Sequence, residues 1–187
     1  MSTEPRLQPL QPPYEGDLAD QLARWMPPGA EIEPLALFRT LYLHPELASR
    51  MRPLGAAILG SSASVPALLR EVMIDRTCAL TGAEYEWGVH AAAFGVAVGL
   101  SEQQLRSTVH GSHRDPCWGE PEAAVMELAE QLHRTSTIDD RLWGRLRELL
   151  EPAQILELIV TAGWYHTIAY VCNGIGVQPE SWAASFG

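Results

Sequence analysis

Glu71, Cys78, Tyr85, Glu86 and His90 fall in one short stretch, EVMIDRTCALTGAEYEWGVH. Glu86 and His90 are four residues apart, so on a helix their side chains can touch. A carboxylate against an imidazole is a general acid–base couple, because it fixes the ring tautomer and raises its basicity. Glu71, Asp75 and Cys78 stand at i, i+4 and i+7 and share one helical stripe. At a rise of about 1.5 Å per residue, Glu71 and Cys78 lie roughly 10 Å apart along the axis.

Two helices must position these groups. Val65, Leu68, Leu69, Val72, Arg76 and Ala79 recur at helical spacing before a break at Thr81-Gly82. Residues 83–98 read as a second helix, folded back by Gly82 so that Glu71 approaches the Glu86–His90 pair. Trp87, Ala91 and Phe94 make the His90 side apolar, and Ala92, Ala93, Val96 and Ala97 cover most of the rest. A helix apolar nearly all round is expected to be buried, and a buried Glu and His need partners or a function. A Glu–His pair at this spacing is otherwise commonly a surface pair.

The stretch resembles the carboxymuconolactone decarboxylase family, which includes the alkylhydroperoxidase D branch. The resemblance rests on Leu69-Arg70-Glu71, on Ala79-Leu80-Thr81-Gly82-Ala83-Glu84-Tyr85-Glu86-Trp87, on His90 and on Gly99-Leu100-Ser101. It extends in patches from about Leu35 to Pro179. The peroxidase branch carries a glutamate followed by C-x-x-C-x-x-x-H. Its glutamate matches Glu71 and its histidine His90, while its cysteines fall on Ala83 and Glu86. The resemblance therefore implies an alkylhydroperoxidase D-like helical bundle of the non-redox kind, assembled as a trimer or hexamer.

Composition narrows the function. A length of 187 residues suits one domain with a substantial core. A net charge of −10 disfavours nucleic-acid and anionic-membrane partners and suits a cytoplasmic protein. No apolar run is expected to reach the 18 or more residues that span a bilayer, and the N-terminus lacks the apolar core of a secretory signal. Three cysteines give an odd count without paired spacing, which argues against a disulfide framework.

Residues 1–33 read as a proline-rich arm, ordered only against a neighbour, plus a short helix from Gly16 to Trp25 that ends at Pro27-Pro28-Gly29. Residues 34–179 form the helical domain, and 180–187 a tail. Pro34 to Leu43 predicts a helix, with His44 favoured at its C-terminal end by the dipole. A further short helix follows from Pro45, and Ser64 can cap the helix after it. Ser101 opens a capping box with Gln104. The loop His110 to Gly119 has the composition of a metal site, but the spacing of His110, His113, Asp115 and Cys117 matches no common zinc pattern. Glu120 to His133 predicts another helix, Ser136 or Thr137 caps the next, and a last long helix starts at Glu151-Pro152. Apolar on most sides, that helix belongs in the bundle centre or in a subunit interface. Caps and 3.6-residue stripes recur and no strand pattern does, so the fold class is all-α.

The expected function is a cofactor-independent lyase or decarboxylase that transfers a proton on a small carbonyl or carboxylate substrate. Glu71, Glu86 and His90 are the catalytic candidates. Tyr85, Trp87, Cys78, Tyr42, His44 and His166 are candidates to contact substrate, and no metal is expected. Arg70 and Arg76 are the nearest arginines, neither identifiable as a carboxylate clamp. The alternatives are a single-cysteine peroxide reductase using Cys78, and a non-catalytic oligomeric binding protein.

Overall fold

The computed structural model describes residues 4–27, 29–30 and 32–187. The predicted end of the first helix includes Pro28, which lies outside the described residues. Among those residues stand nine α-helices: α1 Leu18–Ala23, α2 Ala36–Leu41, α3 Pro45–Leu59, α4 Ala67–Leu80, α5 Glu84–His90, α6 Glu102–His110, α7 Glu120–Thr135, α8 Asp140–Leu149 and α9 Pro152–Ile175. A π-helical turn, Ala91–Gly95, follows α5 directly. The all-α class is what the stripes and caps dictate.

α4 is the hub of the bundle. It packs against α5, α6, α7 and α9, and Glu71 to Cys78 are buried without interruption. Ile74 and Cys78 face one apolar core with Tyr42, Trp164 and Ile168; Val72 and Met73 face a second with Leu128, Leu142 and Leu158. Each large side chain so buried contributes about 1.5–3 kcal/mol. A chain with two such faces on one helix has to place α4 centrally.

The turn between α4 and α5 is set by Gly82. Its φ of +65° is a left-handed conformation that favours glycine. The Gly82 N–H donates to Ala79 O at 3.0 Å and the Ala83 N–H to Cys78 O at 2.8 Å, the Schellman pattern that satisfies the last carbonyls of a helix. Asn173 Nδ2, near the end of α9, donates to Thr81 O at 2.8 Å and pins α9 to this turn.

Several expectations change. The helix after Gly82 does not run to Val98: α5 stops at His90, and Ala92, Ala93, Val96 and Ala97 are exposed beyond it. His44 does not end α2; it caps α3, its Nδ1 accepting from the Leu47 N–H at 3.3 Å. Ser64 bonds Glu157 rather than capping α4, and Asp139, not Ser136 or Thr137, caps α8. The arm packs on its own chain, with the Arg6 N–H donating to Ile175 O at 2.7 Å. α9 is long and apolar enough, by length and composition, to cross a membrane, contrary to the expectation of no such segment. Here it lies within the bundle, with Leu158, Ala162, Tyr165 and Ala169 buried. The tail is strapped to α5: the Ala184 N–H donates to Gly88 O at 3.1 Å.

Candidate active site

Three helices deliver one buried cluster. α4 supplies Glu71, Asp75 and Cys78, α5 supplies Glu86 and His90, and α9 supplies Tyr165. His90 is 3% exposed, Glu71 1% and Tyr165 1%. The 3.6-residue period puts Glu71, Asp75 and Cys78 on the α4 face that the Gly82 turn brings under α5.

His90 is held from both sides. Its Nδ1 is 2.7 Å from Glu71 Oε2. Its Nε2 is 3.0 Å from the Tyr165 hydroxyl and 3.5 Å from Glu86 Oε1. The helical neighbour Glu86 is therefore the looser partner, and the carboxylate nineteen residues away in sequence is the close one. Spacing within one helix brings Glu86 near the ring, but the close contact is made across the hairpin, at Nδ1. Phe94, on the π-helical turn, lies over the His90 ring with centroids 5.1 Å apart. π-helical turns are rare and frequent at functional sites.

The electrostatics follow from this placement. Burial alone would push the His90 imidazole down. The charge and hydrogen bond of Glu71, followed by Glu86, outweigh it and raise the pKa to about 10. His90 is thus an imidazolium at neutral pH, and so a proton donor. Burial raises the Asp75 carboxyl well above the ordinary range, and the Glu71 charge adds to it. Among the described residues, both Asp75 oxygens lack a hydrogen-bond partner, as does Glu86 Oε2. Burial also holds the Cys78 thiol well up, reinforced by Glu86, Asp75, Cys172 and Glu71.

The other sequence candidates lie elsewhere. The Tyr85 hydroxyl accepts from the Leu37 N–H at 3.1 Å and donates to Glu180 at 2.8 Å. Trp87 Nε1 donates to Thr108 Oγ1 at 2.9 Å, and its ring packs on Phe186. Tyr42 accepts from Trp25 Nε1. His166 does not share the His90 site. It lines an open groove of about 560 Å³ with Leu132, His133 and Tyr170, its Nε2 3.2 Å from His133 Nδ1. His113 is spent on Glu130 at 2.6 Å and His110 on Phe186 O at 3.0 Å. No group of three or more metal-binding side chains occurs among the described residues.

Sequence reasoning passed over Tyr165 in favour of His166. Neighbours on a helix point about 100° apart, so only one of them can face α5. The signal was the Trp164-Tyr165 pair inside the apolar face of α9, where a tyrosine hydroxyl needs a partner.

No family model matches the sequence, and no curated protein matches it. Solved structures match across most of the chain. The debrominase Bmp8, solved as a cysteine-to-alanine variant in complex with 2,3,4-tribromopyrrole, has a TM-score of 0.75 at 14% identity, covering 97% of this chain and 95% of that one. An uncharacterized peroxidase-related protein from Silicibacter sp. TM1040 has a TM-score of 0.72 at 14% identity, covering 82% and 81%. A protein of unknown function from Agrobacterium tumefaciens, provisionally described as the antioxidant defence protein AhpD, has a TM-score of 0.67 at 18% identity, covering 75% and 94%. These likenesses establish the fold: a single all-α domain of the AhpD-like type.

Proposed function

We propose that this protein is a cofactor-independent enzyme that transfers a proton at the buried Glu71–His90–Tyr165 relay, acting as a lyase or decarboxylase on a small carbonyl or carboxylate substrate. The observation that carries the reading is the geometry around His90. One ring nitrogen is fixed by a carboxylate at 2.7 Å, and the other meets a hydroxyl at 3.0 Å, away from bulk water.

In a decarboxylation the C–C bond to the carboxylate breaks, its electron pair stays on the substrate as an enolate, and carbon dioxide leaves. The enolate carbon then takes one proton. His90 Nε2 supplies it, directly or through the Tyr165 hydroxyl, and Glu71 stabilises the imidazolium beforehand. The proton is replaced from solvent. The test is incubation with small lactone acids and β-keto acids in D2O. A working enzyme releases carbon dioxide and places one deuterium at the product carbon. Absence of both across such a panel, with the fold intact, overturns the reading.

A thiol reaction is the second reading, favoured by the structural likeness to a debrominase and a peroxidase-related protein. Against it, Cys78 is fully buried and held as the thiol, whereas the attacking species is the thiolate. Ala83 and Glu86 also stand where the peroxidase cysteines would be. Cys78→Ser is expected to leave proton transfer within about twofold of wild type. Thiol-supported turnover that this change abolishes would promote Cys78 to nucleophile.

Self-association to a trimer or hexamer belongs to the same proposal. Leu156, Val160 and Tyr170 of α9 are 63%, 39% and 71% exposed, on the helix whose other side fills the core. A second copy would cover that stripe. Light scattering at micromolar concentration should give a multiple of 20.6 kDa, not that mass itself.

A further inference from the structure

The open groove beside α7 and α9 holds a second imidazole cluster, apart from His90. His133 is exposed in the last turn of α7, and His166 is half-buried on α9. His133 Nδ1 and His166 Nε2 are 3.2 Å apart, and both rings line the groove of about 560 Å³. Thirty-three residues separate them in the chain, so no local spacing signals the pair.

The hydrogens of the pair decide which nitrogens are free. His166 Nδ1 is 2.9 Å from Ala162 O. A carbonyl oxygen only accepts, so Nδ1 carries the hydrogen and Nε2 presents its lone pair. His133 Nδ1 is then the donor in the 3.2 Å contact. Metal-ligating histidines are held in the same way: one ring nitrogen donates to a backbone carbonyl, which fixes the tautomer and the ring, and the other faces the ion. The spacing also suits an ion. Two imidazole nitrogens bound to one metal at about 2.0–2.1 Å stand roughly 2.9 Å apart at a right angle and roughly 3.4 Å apart at the tetrahedral angle. The observed 3.2 Å lies between. An exposed ring such as His133 reorients quickly, so it can aim Nδ1 at the ion and carry its hydrogen on Nε2 instead.

We infer that His133 and His166 together bind one divalent first-row transition-metal ion of the kind that prefers imidazole, zinc, nickel or copper(II), and so staple α7 to α9. Among the described residues no third metal-binding side chain joins them. The ion's remaining positions are therefore left to water, or to an oxygen or nitrogen of a small molecule in the groove. The other groups that line the groove are uncharged. Arg76, whose charge reaches His133, is paired with Glu130 at 2.8 Å. The net charge of −10 favours cations over the whole chain. The assignment does not rest on the proton-transfer reading: Tyr165 faces His90, and His166 faces the groove.

The experiment uses the full chain, stripped with a chelator and desalted. Zinc, nickel, copper(II) and magnesium chlorides are titrated into it calorimetrically. One ion per chain is expected to bind for each of the first three at sub-millimolar concentration, copper(II) most tightly. Magnesium, which takes oxygen ligands, should not bind. The copper(II) complex should show nitrogen splitting from two imidazoles in its electron paramagnetic resonance spectrum. His133→Gln and His166→Gln should each weaken binding at least about tenfold, the lower end of the loss when even an outer partner of a metal site is removed. Zinc should raise the melting temperature of the wild-type chain and of neither variant. His44→Gln and His110→Gln, which alter exposed imidazoles elsewhere, should bind zinc as the wild type does. Helicity is checked on every variant, and exposed His133 gives a test that stands even if His166→Gln fails to fold. No saturable binding of any of the three ions, wild-type affinity in folded His133→Gln, one ion shared between two chains, or binding lost with His44 or His110 would each overturn the assignment.

Discussion

His90→Gln should lower turnover about 10²- to 10⁴-fold, the range for removing a general acid–base group, while the chain stays helical and unfolds cooperatively. Glutamine keeps a polar group of similar reach but cannot carry a proton between Glu71 and Tyr165. Tyr165→Phe removes the next atom along the path, 3.0 Å from Nε2. If both groups serve one proton transfer, the double variant should be little slower than His90→Gln alone. Glu86→Gln should cost less than either, because Glu86 Oε1 at 3.5 Å is the looser of the two carboxylates on the ring. Measured on any substrate that exchanges deuterium, additive losses would mean separate roles. Full activity in His90→Gln would make the cluster structural.

The hairpin was legible because its signals are local. A helical stripe ends at Thr81-Gly82, and glycine there permits the left-handed residue that turns the chain. Bringing Glu71 near His90 follows from that turn alone. The partner order did not follow. Glu86 is on the same helix as His90, so sequence spacing favours it, yet the ring takes its hydrogen bond from across the hairpin. Tyr165 was beyond reach for another reason. It arrives from α9, whose rotation about its own axis is fixed by which residues meet α4, and an apolar pattern on nearly all sides leaves that rotation open. The same ambiguity made His166 look equivalent to Tyr165. The exposed residues after His90 show the limit of composition: Ala92, Ala93, Val96 and Ala97 are apolar yet lie outward around the π-helical turn.

Glu71→Gln should destabilise the fold at pH 7 by on the order of a few kcal/mol, the lost linkage of the His90 proton, and should also flatten its pH dependence. In the wild-type chain the folded pKa of His90 is raised to about 10, above the ordinary value near 6.5. The folded state therefore holds this proton more tightly than the unfolded chain does. That stabilisation is fully present below about pH 6.5 and is lost as the pH rises through about 10. Its size is on the order of a few kcal/mol. The chain has no lysine to titrate in this window, since all 13 of its lysine-plus-arginine side chains are arginines. Burial also pushes the Cys78 and Cys172 thiols and the Tyr85 and Tyr165 hydroxyls upward, so these groups too cost stability as the pH rises, and the difference between the two proteins isolates His90. In Glu71→Gln the largest charge that opposes burial is gone and Glu86 alone remains, so the His90 pKa falls. Urea unfolding at pH 6.5, 8 and 10 decides the matter. Wild-type stability should fall across the series, and that of Glu71→Gln should start lower and fall less steeply. Parallel slopes for the two proteins would show that Glu71 does not hold the His90 proton.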